Sequence, residues 1–159
     1  MSLGIQVRPP TLADAIALSV TMRAADIVEI DAAIGMMPID ALLLGLQRSD
    51  ACWCATCDKT LLAIWGAKTT SGSVLGGYQA EGWLLTSKAV EFHKKAFWRA
   101  AKLALSLMLQ RWNTIYNAID VRHLRALRWA KRLGFRLEEP APYGVAGLPF
   151  RRCSITNES

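Results

Sequence analysis

The sequence predicts an α+β fold in which helices cover a single mixed β-sheet. Three observations carry this reading. The hydrophobic period switches along the chain from about 3.6 to 2 and back. A run of strands that forms a meander gives way to strand-helix alternation. The 159 residues are 52% hydrophobic, enough for one core of ordinary domain size. Residues 1–159 are therefore read as one domain with the order β-α-α-β-β-β-α-β-α-β-β.

Ile5-Gln6-Val7-Arg8 alternates like a strand and stops at Pro9-Pro10, where a missing amide hydrogen and a fixed φ end the ladder. Thr11 with Asp14 three residues on is an N-cap pattern. Ile16, Val20, Ile27 and Ile30 then recur at near-helical spacing until Gly35, as one helix or as two with a kink. Pro38 opens a further helical piece over 39–46. Segments 51–56 and 60–67 have period two and join at Asp58-Lys59, and a third strand spans 78–86 after a Ser/Gly stretch read as a loop. The longest helix is expected from Ser87, its N-cap, to about Trp112. Its inward side holds Ala96, Phe97, Ala100, Leu103, Ala104, Leu107 and Met108, and Glu91 pairs with Lys95. A strand at 115–120 precedes a helix from His123 to Leu133 that Gly134 ends as its C-cap. Strands at 135–138 and 150–155 close the sheet around a loop at 140–149.

Composition excludes several classes. Disorder, collagen and tandem arrays do not fit, and no uncharged apolar run approaches the roughly 20 residues of a bilayer-spanning helix. The opening residues show neither a basic and apolar export signal nor an Arg-rich transit pattern, so a cytosolic protein is expected. Charge is uneven. Residues 1–60 hold four Lys/Arg against seven acids, a net −3, while 61–159 hold fifteen against six, a net +9. The basic part suits nucleic acid, a phosphorylated cofactor, an acidic protein surface or plain solvation, and the count does not choose among them. The spacing of Cys52, Cys54 and Cys57 could hold a metal, but no histidine lies near them in sequence; Cys52 and Cys54, alternating with Trp53, are read instead as reduced thiols on one face of a buried strand, and no metal is expected.

The order of elements, together with Ala126 through Phe135 and its Leu133-Gly134-Phe135 ending, resembles the GNAT superfamily of acetyl-CoA-dependent N-acetyltransferases. A narrower resemblance is to the internal virion proteins of T7-like podophages, a divergent branch on the same fold. It is carried by Gly82-Trp83-Leu84-Leu85-Thr86-Ser87, His93-Lys94-Lys95, Trp112-Asn113, Arg125 through Gly134, and Glu138-Glu139.

The superfamily resemblance implies a glycine-rich turn before the long helix, whose amides cradle a pyrophosphate. Here 85–91 contains no glycine, leaving Ser87, Lys88 and Ala89 as a degenerate pyrophosphate position. It also implies a tyrosine that protonates the leaving thiolate, but that position is Ala130, preceded by Trp129. An asparagine common at the start of the second-last helix is replaced by His123, whose unperturbed pKa of about 6.5 suits an acid or base. Glu81 stands where family enzymes often keep a general base.

These departures lead to the expectation of a phage-encoded, catalytically degenerate protein. It would take no cofactor, partner phage or host proteins as a minor internal virion or assembly protein, and reside in the host bacterial cytoplasm or the virion. The alternative is an active, divergent N-acetyltransferase that uses acetyl-CoA. A basic face of Arg122, Arg125, Arg128 and Arg132, with Lys131 beside it, is expected to carry any anionic or protein partner, including weak and sequence-insensitive binding of nucleic acid. The same 3–4 spacing also describes a solvated helix face.

Overall fold

One eight-stranded sheet organises the chain; the computed structural model describes residues 4–157. The strands are β1 (Ile5–Arg8), β2 (Ala51–Cys57), β3 (Thr60–Ser73), β4 (Gly77–Thr86), β5 (Thr114–Asp120), β6 (Arg136–Leu137), β7 (Ala141–Tyr143) and β8 (Leu148–Thr156). They run in the order β1-β2-β3-β4-β5-β8-β6, with β7 on β8. Only β4 and β5 pair in parallel, because the chain must cross over through a helix between them.

The helices are α1 (Leu12–Thr21), α2 (Ala24–Ile34), α3 (Pro38–Arg48), α4 (Lys94–Arg111) and α5 (Leu124–Leu133). On one face of the sheet Leu18, Met22, Ile30 and Leu42 from α1–α3 and the α1–α2 junction pack with Cys54 and Ile64. On the other, Phe97, Ala100, Ala104 and Met108 of α4 pack with Ala63, Trp65, Ala80 and Ile115. The α5 helix lies beside α4, its Trp129 set edge-on to Phe97 at 4.8 Å and to Trp98 at 5.1 Å between ring centroids. No helix among the described residues is long and apolar enough to cross a membrane.

The elements follow the sequence reading except where tertiary pairing overrides local preference. The first helical stretch is two helices. At the break the Arg23 amide donates to the Thr86 carbonyl at 3.0 Å and Met22 bridges to Ser87, so the end of β4 takes over hydrogen bonds the helix gives up. The Ser/Gly stretch is mostly strand, not loop. β3 continues to Ser73 because β4 pairs with it from Gly77 onward, and a partner strand satisfies the backbone whatever the local propensity.

Ser87 does not cap the long helix, since its hydroxyl donates to the Leu61 carbonyl at 2.6 Å. A 3₁₀ turn, Lys88–Phe92, intervenes, and α4 begins only at Lys94. Glu91 therefore lies outside α4 and pairs with Arg23 and Arg125 instead of Lys95. Leu103 is 46% exposed, off the buried stripe of positions 96, 97, 100, 104 and 108. The 140–149 segment contains β7, which returns against β8.

Gly134 ends α5 in the left-handed conformation, with φ of 104°. A β-branched side chain is poorly tolerated there, although an added Cβ would meet nothing closer than Ile155 Cδ1 at 3.5 Å. Gly134→Val is expected to cost about 1–2 kcal/mol through backbone strain alone. Equal urea midpoints for variant and wild type would show that the helix end tolerates the change.

Candidate functional site

The site arises from a failure of pairing. β4 and β5 share only the register Gln79↔Thr114, Ala80↔Ile115 and Glu81↔Tyr116. Beyond it β4 stays with β3 up to Thr86, and β5 stays with β8 up to Asp120. The two strands must part, and the wedge between them opens a cleft of about 820 Å³. Gly82, Leu84, Asn117 and Ile119, just past the last paired residues, line it.

The mouth of the cleft is basic. Lys94, Lys95 and Arg99 come from the first turns of α4, and Arg125, Arg128 and Arg132 from one stripe of α5. The α4 start adds amide hydrogens without an intrahelical acceptor and the positive end of an 18-residue helix dipole. The guanidinium of Arg132 lies over the Trp98 ring, 4.5 Å from its centroid, which holds the charge over an aromatic surface at the rim. Glu91 links Arg125 to Arg23 across the mouth, and the Arg125 hydrogen bond holds its carboxyl below the usual range.

Deeper in, the walls carry acids and a histidine. Asp26, 6% exposed, accepts the Thr86 amide at 2.8 Å and the Thr86 hydroxyl at 2.5 Å on one oxygen, and its other oxygen lies 3.0 Å from His123 Nε2. With the proton on Nε2, as this contact favours, Nδ1 is the ring's remaining acceptor. Glu29, one helical turn after Asp26, accepts the Asp120 amide at 3.1 Å. Burial pushes its carboxyl up to about 7, the outcome of desolvating a charge that no cation contacts directly. Asp120 is held in its ionised form by Arg122, which donates from its backbone and its guanidinium.

Of the residues singled out in the sequence, His123 lies in this inner wall, and Arg125, Arg128 and Arg132 line the mouth. Arg122 is 54% exposed, tied to Asp120, and not part of the lining. Glu81 is exposed on β4, and it too lies outside the lining. Ser87, Lys88 and Ala89 likewise do not line the cleft, and the basic helix start that does begins at Lys94. Ala130 lines the cleft at the position the superfamily resemblance reserves for a tyrosine, and no tyrosine is among the lining residues.

Asp26 and Glu29 were not anticipated. The available signal was their placement with Ile30 at i, i+3 and i+4, which puts both acids near the buried stripe of α2.

No family model and no curated protein matches the sequence. Solved structures do match in shape. An aminoglycoside N(6')-acetyltransferase from Legionella pneumophila superposes with a TM-score of 0.74 at 11% identity, covering 98% of this chain and 94% of that one. A GNAT-family acetyltransferase from Bacillus anthracis gives 0.71 at 13%, covering 100% and 98%. An aminoglycoside acetyltransferase in complex with coenzyme A gives 0.69 at 15%, covering 97% and 95%.

These likenesses establish the GNAT fold, a mixed α+β single domain. They offer no support for the narrower likeness to phage internal virion proteins. The expectation that the chain takes no cofactor is corrected: its structural neighbours include proteins that carry coenzyme A.

Proposed function

We propose that the protein is an acyl-CoA-dependent N-acyltransferase, with acetyl-CoA as the reference donor and an amine as acceptor. The observation that carries this reading is the cleft itself, which joins a cationic mouth to an apolar passage between parted parallel strands and ends at a buried carboxylate-histidine cluster. Coenzyme A has matching parts, a phosphorylated end and a slender arm. About 820 Å³ lies within the range of cofactor sites. The glycine-free junction does not remove the anion site, because α4 starts later than the sequence suggested and brings Lys94 and Lys95 to the mouth with its free amides.

Bound there, acetyl-CoA would supply an acyl thioester for transfer to the amine, the thiol released gaining a proton for the one the amine loses. Lys94, Lys95 and Arg128, which line the cleft, would hold the phosphates. Glu29 takes the amine proton, a role suited to a carboxyl that titrates near 7. Asp26 fixes the His123 ring, which makes Asp26 a positioning residue and His123 a second group able to carry a proton. The weak nucleic-acid binding expected of Arg125, Arg128 and Arg132 stands second to this role, and coenzyme A is expected to compete with it.

Thermal unfolding with coenzyme A tests the reading. Ligand at a hundred times its Kd stabilises by about 3 kcal/mol, so the unfolding midpoint is expected to rise by several degrees. The triple variant Lys94→Glu, Lys95→Glu, Arg128→Glu is expected to abolish the rise. An unshifted wild type at millimolar coenzyme A would overturn the assignment.

A further inference from the structure

The outer face of α1 is apolar along its whole length. Leu12, Ile16 and Val20, four residues apart, are 62%, 52% and 76% exposed, and Ala13 and Ala17 beside them are exposed as well. On the opposite side Ala15 and Leu18 are buried with Cys54 and Ile64 of the sheet, so α1 is apolar all round. A helix of that kind is ordinarily covered on every side. Of the four residues whose spacing marks α1 and α2 in the sequence, Ile16, Val20, Ile27 and Ile30, only Ile30 is buried. Most of that apolar stripe is therefore spent outside this chain's own core.

The polar side chains of α1 are a separate observation. The Ser19 hydroxyl donates to the Ile16 carbonyl at 2.6 Å and the Thr21 hydroxyl to the Ala17 carbonyl at 2.9 Å. The Asp14 carboxylate accepts from Arg8 at 2.7 and 3.0 Å, and from the Thr11 amide and hydroxyl. Each polar group of the helix is thus satisfied within the chain, and covering the face leaves none of them stranded.

Charge decides what covers it. In a two-fold contact each residue at the axis meets its own copy, so a charge there repels itself. Residues 9–22 contain no Lys or Arg, and their one acid, Asp14, is paired with Arg8. A second α1 matches the face in polarity and brings no like charge. A lipid surface fits less well, because a helix lying on one carries Lys or Arg on its polar face to meet the headgroups. The first cation after α1, Arg23, is instead paired with Glu91. We propose that two copies of this chain associate through the outer faces of their α1 helices, packed antiparallel with Ile16 and Ala17 at the two-fold axis. A ten-residue helix is only about 15 Å long, so the contact lies at the small end of the interface range and the dimer is reversible.

Sedimentation equilibrium of the full chain over a range of concentrations tests the proposal. The mass is expected to rise with concentration from 17.5 kDa toward twice that value, with a Kd of roughly 1–100 µM. Ile16→Glu combined with Val20→Glu sets like charges against each other at the axis and is expected to weaken association by about tenfold or more. Ala17→Cys tests the same contact without adding charge. Under mild oxidation it is expected to form a disulfide with its own copy, to an extent that the wild type with its four native cysteines does not match.

A chain that stays at 17.5 kDa throughout overturns the inference. So does a dimer that survives Ile16→Glu with Val20→Glu, or an Ala17→Cys dimer that does not cross-link. A monomer that binds phosphatidylglycerol vesicles, and loses them in the double variant, also overturns it and assigns the face to a membrane.

Discussion

Glu29→Gln at pH 8 is expected to lower turnover by about 10²–10⁴-fold and at the same time to raise the unfolding midpoint. Both effects have one cause. The Glu29 carboxyl is lifted from 4.5 to about 7 by burial, against the smaller opposing pull of the Asp120 amide. A carboxyl whose folded value exceeds its unfolded one keeps its proton longer in the native protein. Its contribution to stability is complete below pH 4.5, declines as pH rises, and is lost above about 7.

At pH 8 the native state thus carries a desolvated charge costing on the order of 1–3 kcal/mol. Glutamine retains an oxygen for the Asp120 amide and removes the charge, so the variant gains stability at pH 8 and little at pH 4. It has no basic group to take a proton, so the reaction slows. For the wild type, turnover is expected to rise with pH through an apparent pKa of about 7. A variant with near-normal turnover would remove Glu29 as the base, and an unchanged midpoint at pH 8 would show that its charge is not strained by burial.

The parts of the fold legible in the sequence are those fixed by chemistry within a few residues. Thr11 and Asp14 form a reciprocal capping box, Gly35 and Gly134 end helices in the left-handed region, and the 3–4 spaced arginines of α5 do share a face. The start of α4 is not legible locally, because Ser87 has the residue type of a cap while its hydroxyl is claimed by Leu61, a residue 26 positions away. The site was harder still. Asp26 and His123 are separated by 97 positions and Glu29 and Asp120 by 91, and neither pair has a signature in either segment alone. What brings them together is the length of β4 and β5 beyond their last shared register, a tertiary fact invisible to periodicity. Similarly, the missing glycine turn concerns the Ser87 junction, whereas α4 begins at Lys94, after an intervening 3₁₀ turn.

Asp26→Ala is expected to be the most destabilising single change, at about 3–5 kcal/mol, and to abolish turnover as well. The carboxylate serves three donors at once, the Thr86 amide, the Thr86 hydroxyl and the His123 ring, and alanine leaves all three without it at a largely buried position. Two of those donors hold the end of β4 beside the α1–α2 junction, where the Arg23 amide also bonds to the Thr86 carbonyl, so the loss loosens the wall of the cleft itself. Asp26→Asn separates the effects. Its amide keeps the volume and one acceptor oxygen, so stability is expected to recover in part, while the imidazole loses the charged partner that selects its tautomer and turnover stays low. A double-mutant cycle with His123→Ala gives the coupling directly, expected at about 1–3 kcal/mol by urea denaturation. A coupling near zero would mean that Asp26 serves only to anchor β4, and the proton-carrying role of His123 would lose its support.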